Sequence, residues 1–123
     1  MRAFLSLGAL FGLLGVCLGA FAAHALRGQV SAEMLSVFHT AVDYQFYHAL
    51  ALLAVGLLLG LRPNNRLLYW AGALFAAGVV LFSGSLYLLV MVGVRWWGAV
   101  TPVGGMSLIA GWAVLLWACL RGG

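Results

Sequence analysis

Four long runs of apolar residues follow one another along the chain, separated by short polar segments. A helix needs about 20 such residues to cross the hydrocarbon core of a bilayer, which is about 30 Å thick. Each run is long enough, and Asp43 is the only formal charge inside the runs. The pattern predicts an all-α integral membrane protein with a single domain over residues 1–123. Its spanning helices are expected at about residues 3–26, 32–61, 67–92 and 102–121.

The polar segments carry residues that begin and end helices. Ser31 is placed to cap the N-terminus of helix 2, and Gly93 is placed to end helix 3. The turn at residues 62–66 is so short that helices 2 and 3 must be antiparallel neighbours. Thr101 and Pro102 are expected to be the N-cap and first residue of helix 4, where proline loses no hydrogen bond. These connections predict an up-down-up-down four-helix bundle.

The composition excludes a soluble domain. Apolar residues make up 66% of the chain, charged residues 7%, and the mean hydropathy is +1.14. A soluble domain carries about 25% charged residues, so membrane lipid must be the solvent for most side chains here. The net charge of +4 comes from arginines scattered between apolar runs. Such charges are typical of membrane flanks, and no nucleic-acid partner is expected.

The arginines also predict an orientation in the membrane. Four of them fall at the end of the bundle that carries the termini and two at the opposite end: Arg2, Arg62, Arg66 and Arg121, against Arg27 and Arg95. Cytoplasmic segments of membrane proteins are enriched in Lys and Arg. Both termini and the turn between helices 2 and 3 are therefore expected in the cytoplasm.

Helix 1 carries a stripe of small residues. Gly8, Gly12, Gly15 and Gly19 recur at spacings of four, three and four. Small residues allow helix backbones to approach closely, and such stripes commonly hold helices together in lipid. The helix that packs here could belong to the same chain, to another copy in a homo-oligomer or to a partner membrane protein.

Polar and aromatic side chains concentrate on helix 2, in two adjacent stripes of spacing four. The stripes are His39, Asp43 and Tyr47, and Thr40, Tyr44 and His48, whereas Gln45 points elsewhere, toward a neighbouring helix. Ionisable groups are costly in hydrocarbon and usually face the interior of a bundle. Helices 1, 3 and 4 carry polar groups at a depth similar to that of these stripes. The sequence therefore predicts one polar cluster in the outer half of the membrane. Its members are His24, Thr40, Asp43, Tyr44, His48, Ser83, Ser85, Tyr87 and Thr101.

This cluster has two interpretations. It is either a hydrogen-bond network that fixes the register of the helices, or a site for a small molecule, lipid headgroup, proton or metal. In a site, Asp43 would accept a proton or cation. His39 and His48 are nine residues apart and cannot easily share a metal, so no metal or cofactor is expected. Cys17 and Cys119 belong to no paired motif and are expected to be buried small side chains.

No nucleophile elbow, paired carboxylates or phosphate-binding glycine pattern is present in the sequence. The leading hypothesis is therefore a non-enzymatic structural, assembly or interaction module. The alternative is a small transport or ligand-binding bundle with its site at the polar cluster. The two differ in whether the polar side chains engage one another or a ligand.

Several motifs resemble one known family. They are Gly19–Leu26, the segment from Thr40 to Leu50, Phe82–Tyr87, and Thr101–Gly105 with Gly111 and Trp112. Together they resemble the family called domain of unknown function 423, which includes YgdD-like proteins and relatives named transmembrane protein 256. The resemblance implies a four-helix protein of the bacterial inner membrane, without an established activity. Ala22 stands where the family pattern has glycine, which is a minor departure. Asp43 and His39 also depart from the pattern, so the resemblance favours the other members of the cluster as the site residues.

Overall fold

The structure, a computed structural model, describes residues 1–122, so Gly123 of the predicted domain lies outside the described residues. Its helices are α1 (Arg2–Phe21), a π-helical turn (Ala22–Leu26), α2 (Ala32–Leu61), α3 (Arg66–Val92) and α4 (Trp96–Arg121). The helix α1 and the π-helical turn together form one span, Arg2–Leu26, and α2, α3 and α4 each form another. Each of these four spans is long and apolar enough to cross a membrane. The predicted all-α membrane fold of four antiparallel helices is confirmed.

Two predicted helix boundaries are confirmed by their capping geometry. The Ser31 side chain accepts a hydrogen bond from the Met34 backbone N–H at 3.1 Å, which caps α2. Gly93 ends α3 with φ of +78°, a left-handed conformation that favours glycine. Asn65 caps α3 by accepting hydrogen bonds from Leu67 N–H at 3.0 Å and Leu68 N–H at 3.3 Å.

The predicted start of helix 4 is wrong by more than one turn. The helix begins at Trp96, and Pro102 lies inside it. The first bonds are of the tighter three-residue kind, from Trp97 N–H to Val94 O and from Gly98 N–H to Arg95 O. Thr101 is therefore not an N-cap, and its hydroxyl donates to Trp97 O at 3.3 Å within the helix. Pro102 has no N–H and cannot donate the helical bond to the Gly98 carbonyl four residues earlier. Proline is tolerated inside membrane helices because neighbouring helices and Ser or Thr side chains can bond the freed backbone groups.

The closely packed helix pairs are the sequence neighbours α1–α2, α2–α3 and α3–α4. In the spanning windows, 44% of α2 and 39% of α3 are buried, against 17% of the first span and 22% of α4. The α2–α3 hairpin is therefore the centre of the bundle, and α1 and α4 pack on its two flanks. Phe38, Leu52 and Phe75 are among the fully buried side chains of this centre.

Three of the four stripe glycines pack against α2 of the same chain. A Cβ at Gly8 would lie 2.8 Å from the Ala49 carbonyl oxygen, one at Gly15 would lie 2.8 Å from the Phe46 ring, and one at Gly19 would lie 3.6 Å from Val42. A Cβ at Gly12 would meet nothing within 4 Å. The stripe thus serves mainly the contact between α1 and α2.

The closest backbone approach at a glycine is between α3 and α4. A Cβ added to Gly104 would clash with the backbone N of Phe82 and would lie 2.7 Å from its Cα. At the next residue, Gly105, a Cβ would have only ordinary contact with the Phe82 ring, at 3.8 Å. The close packing of α3 on α4 therefore requires a residue without a side chain at position 104.

The expected burial of the cysteines is wrong. Cys17 and Cys119 are free thiols on the exposed surface of the bundle. In a membrane this surface faces lipid, which is as apolar as a protein core. Placement in an apolar segment therefore does not distinguish the two environments.

Candidate functional site

Gln45 joins three helices through its side-chain amide. It is 4% exposed, and its Nε2 donates a hydrogen bond to the Phe11 carbonyl oxygen of α1 at 2.8 Å. Its Oε1 accepts a hydrogen bond from the Tyr87 hydroxyl of α3 at 2.5 Å. One side chain of α2 thus fixes the depth of α1 and α3 relative to each other.

His48 joins α2 to α4. The Trp112 indole Nε1–H donates to His48 Nε2 at 2.9 Å, and His48 Nδ1 lies 2.7 Å from the Tyr44 carbonyl oxygen. An indole N–H can only donate, so Nε2 must be the acceptor and the imidazole proton must be on Nδ1, donating to Tyr44. Both ring nitrogens are engaged, and the neutral Nδ1–H tautomer is the one that satisfies both partners.

Hydroxyl groups make the remaining bonds between helices. Ser83 donates to the Ala41 carbonyl at 2.7 Å, between α3 and α2. Between α3 and α4, the Ser85 hydroxyl lies 2.6 Å from that of Thr101, and Ser107 donates to the Leu74 carbonyl at 2.8 Å. Within residues 1–122, every buried side-chain nitrogen and oxygen has a hydrogen-bond partner. The polar interior is therefore a network closed within the chain.

The structure divides the predicted cluster. Five members are in hydrogen bonds between helices: His48, Ser83, Ser85, Tyr87 and Thr101. Tyr44 is 40% exposed, and its ring stacks on Phe82 with centroids 4.7 Å apart.

His24, Thr40 and Asp43 are exposed and lie outside the network, contrary to expectation. His24 is in the π-helical turn, and Thr40 donates to the Ser36 carbonyl of its own helix at 3.1 Å. Thr40 and Asp43 are exposed because α2 packs into the bundle with the face that carries Ala41 and Gln45.

Three polar residues of the network were not among the predicted members: Gln45, Ser107 and Trp112. The available signal for Gln45 was its place on the same face of α2 as Ala41 and Ala49, because small residues mark the contact faces of helices in lipid. Ser107 and Trp112 of α4 likewise follow Gly104 and Gly111, which are buried. Proximity to a buried glycine would have predicted both.

A cleft of about 560 Å³ opens between α2, α3 and α4. Its walls are aromatic and aliphatic, and include Tyr44, Tyr47, His48, Phe82, Leu108 and Trp112. The two nitrogens of His48 are already engaged, so the imidazole offers the cleft an apolar edge. Such a space suits an acyl chain or another apolar molecule.

Metal-binding groups are dispersed in the part of the chain that the structure describes. Within residues 1–122, no three side chains of His, Cys, Asp or Glu come together in a way that could hold a metal ion. Of the three histidines, His24 and His39 are exposed and His48 is buried. Within the described residues, the buried polar side chains form hydrogen bonds with other groups of the chain.

Comparison with known proteins agrees with this architecture. The model of the family described as "Protein of unknown function (DUF423)" matches residues 18–105. The UPF0382 membrane protein SAB0533 of Staphylococcus aureus is 45% identical over 121 residues, covering 98% of both chains. The UPF0382 membrane protein YwdK of Bacillus subtilis is 43% identical over the same share of both chains. No solved structure matches the chain. The family match and these relatives, similar over nearly the whole length, show that the chain belongs to the DUF423 family of membrane proteins.

Proposed function

We propose that this protein is a non-enzymatic membrane module that acts by associating with other membrane polypeptides. The observation that carries the proposal is the closed hydrogen-bond network of the interior within residues 1–122. Catalysis or polar ligand binding needs donors, acceptors or titratable groups that are free to contact a substrate. Here Gln45, His48 and Ser83 hold neighbouring helices instead.

The outer surface supports the same proposal. The spans formed by the flanking helices α1 and α4 bury only 17% and 22% of their spanning windows, so most residues of these windows are exposed or only partly buried. Helices in lipid associate through close packing and polar contacts, and not through the hydrophobic effect. Because the connections between the helices are short, little of the protein extends outside the membrane. The surface within the membrane is therefore the main area for contact with partners.

We further propose that the bundle lies in the bacterial plasma membrane with both termini in the cytoplasm. The excess of arginine at the end with the termini supports this orientation. A green fluorescent protein fused after residue 122 is expected to fluoresce in a bacterial host, whereas alkaline phosphatase fused there should be inactive. Active phosphatase at that position would reverse the proposed orientation.

The association is tested in the native membrane. Tagged protein extracted in copolymer nanodiscs, without detergent, is expected to contain at least one further polypeptide in a fixed ratio, seen by cross-linking and mass spectrometry. The partner is either another copy or a second protein. A single chain per disc, with no polypeptide partner across a range of expression levels, would contradict the proposed function.

The cleft between α2, α3 and α4 favours a second candidate function, the binding of an apolar ligand such as a lipid chain. Leucine at Gly105 would enter the cleft, whereas leucine at Gly12 would enter open space on α1. If the protein is a lipid-binding bundle, one lipid per chain should be retained in discs by the wild type and by Gly12→Leu, but not by Gly105→Leu. Equal lipid content in all three proteins would count against this candidate.

A further inference from the structure

Asp43 lies near the middle of the membrane. The Ser83 hydroxyl bonds to the carbonyl of Ala41, and Tyr44 stacks on Phe82, so Asp43 is level with residues 81–83 of α3. The centre of α3 is at Val79, which places Asp43 within roughly 6 Å of it along the helix axis. Because half the hydrocarbon thickness is about 15 Å, this carboxyl group is far from both headgroup layers.

Asp43 also faces away from its own bundle. It is exposed, at roughly 180° around α2 from the buried positions such as Ala41, Gln45 and His48. Within residues 1–122 it makes no hydrogen bond or ion pair. The same outward face carries His39 one turn earlier and Tyr47 one turn later, both exposed. We call these three residues the α2 stripe.

A carboxyl group that faces lipid at this depth is costly, at about 2.5–3.5 kcal/mol on insertion scales and more in simulations. The nearer headgroup layer is roughly 9 Å away along the membrane normal, given a half-thickness of about 15 Å. The nearest cations of the chain, the arginines, flank the helices at the two ends of the bundle. The position therefore calls for a partner group supplied from outside the bundle, at mid-membrane depth.

We propose that the α2 stripe of a second copy of this chain covers the first, so that Asp43 of each copy contacts His39 of the partner subunit. This inference rests on the proposed function and names both the face and the partner. A second copy in the same orientation supplies a polar group close to this depth, because its His39 lies one helical turn, about 6 Å along the axis, from the level of Asp43. The stripe is also self-complementary, because it carries an acceptor and an imidazole one turn apart.

The geometry of a two-fold axis along the membrane normal suits this pairing. At 100° per residue, His39 and Asp43 lie roughly 20° on either side of the centre of the outward face. A two-fold axis brings one side of a helix opposite the other side of its mate, so residue i contacts j and j contacts i. Leu50, Ala54 and Leu57 continue the same exposed face toward the end with the termini and extend the contact with apolar surface.

Disulfide cross-linking tests the face directly. Cys17 and Cys119 are replaced by alanine, and a single cysteine is introduced as Leu50→Cys on the outward face of α2. Leu116→Cys on α4 is the matched control, because Leu50 is 63% exposed and Leu116 is 60% exposed. After oxidation of isolated membranes, Leu50→Cys is expected to give at least fivefold more cross-linked dimer than Leu116→Cys.

The pairing of Asp43 with the partner's His39 has its own test. In the Leu50→Cys background, Asp43→Ala and His39→Ala are each expected to lower the dimer yield several-fold, without loss of thermal stability, since both side chains are exposed. Chains with the two different changes, expressed together, should form mixed dimers in preference to either homodimer, because only the mixed dimer retains one pair. The exchange His39→Asp with Asp43→His should restore the yield.

The outcomes separate this inference from the proposed function. Equal cross-linking at positions 50 and 116, or no effect of Asp43→Ala, would overturn the pairing of two copies. A cross-link from position 50 to a different polypeptide would also overturn it, while leaving the proposed association with membrane proteins intact. A lone chain in native nanodiscs, together with no cross-link at position 50, would overturn both.

Discussion

Replacing Gly104 with alanine is expected to force α3 and α4 apart and to lower the free energy of unfolding by about 3 kcal/mol. The added Cβ would clash with the backbone N of Phe82 and would lie 2.8 Å from the backbone carbon of Leu81. Backbone atoms cannot rotate away as a flexible side chain can, so the helices must separate. The bond between Ser85 and Thr101, which spans the same two helices, would lengthen or break.

The neighbouring substitution Gly105→Ala is the control, because its Cβ makes only ordinary contact with the Phe82 ring at 3.8 Å. Both changes have the same effect on helix propensity, so their difference reports the clash alone. Thermal unfolding in nanodiscs, followed by circular dichroism, should show a large fall in the midpoint for Gly104→Ala and little change for Gly105→Ala. Equal stability of the two variants would contradict the close approach of α3 and α4.

Replacing Gln45 with leucine is expected to lower the free energy of unfolding by about 2 kcal/mol. The change keeps most of the side-chain volume but removes the bonds to the Phe11 carbonyl and the Tyr87 hydroxyl. The Tyr87 hydroxyl loses the partner that the structure gives it, and a buried polar group without a partner costs more than the bond was worth. The same change at Gln29, which is exposed in the connection after the π-helical turn, should have little effect.

A double variant measures how much of the lost stability comes from the Tyr87 hydroxyl that is left without a partner. Replacing both partners by apolar groups of similar shape can be nearly neutral, so Gln45→Leu with Tyr87→Phe should be more stable than Gln45→Leu alone. The comparison requires unfolding measurements of both single variants and of the double variant. A double variant that is less stable by the full sum of the single effects would show that the two side chains do not act on each other.

The fold follows from the sequence because the membrane imposes simple rules. Run length identifies the spans, and Ser31 and Gly93 mark helix ends through chemistry that is local to each residue. The observed start of α4 differs from the prediction because proline is tolerated not only at the first helical position but also inside membrane helices, where neighbouring groups compensate for its missing N–H. Local rules identify where a helix can start, and the packing of α4 on α3 selects among the possibilities.

The candidate site was harder to predict, because polarity does not mark the interior of a membrane protein in a simple way. The expectation that the broad polar face of α2 is turned inward correctly selects His48 but also selects Asp43, which faces outward. Gln45 shares its face of α2 with Ala41 and Ala49 and is the link between three helices. Lipid and protein core are equally apolar, so closeness of packing, signalled by alanine and glycine, is the better guide to the inner face.

Contacts between consecutive helices have a consequence for how the protein is made. Because α2 packs on α1, α3 on α2 and α4 on α3, each helix meets its main neighbour as soon as it leaves the ribosome and enters the bilayer. No helix must wait for a distant segment to be synthesised, and chains with such local contacts fold quickly. The bond from Trp112 to His48 is an exception, since it joins residues 64 positions apart. It can form only after α4 has been inserted, so it marks the completion of assembly.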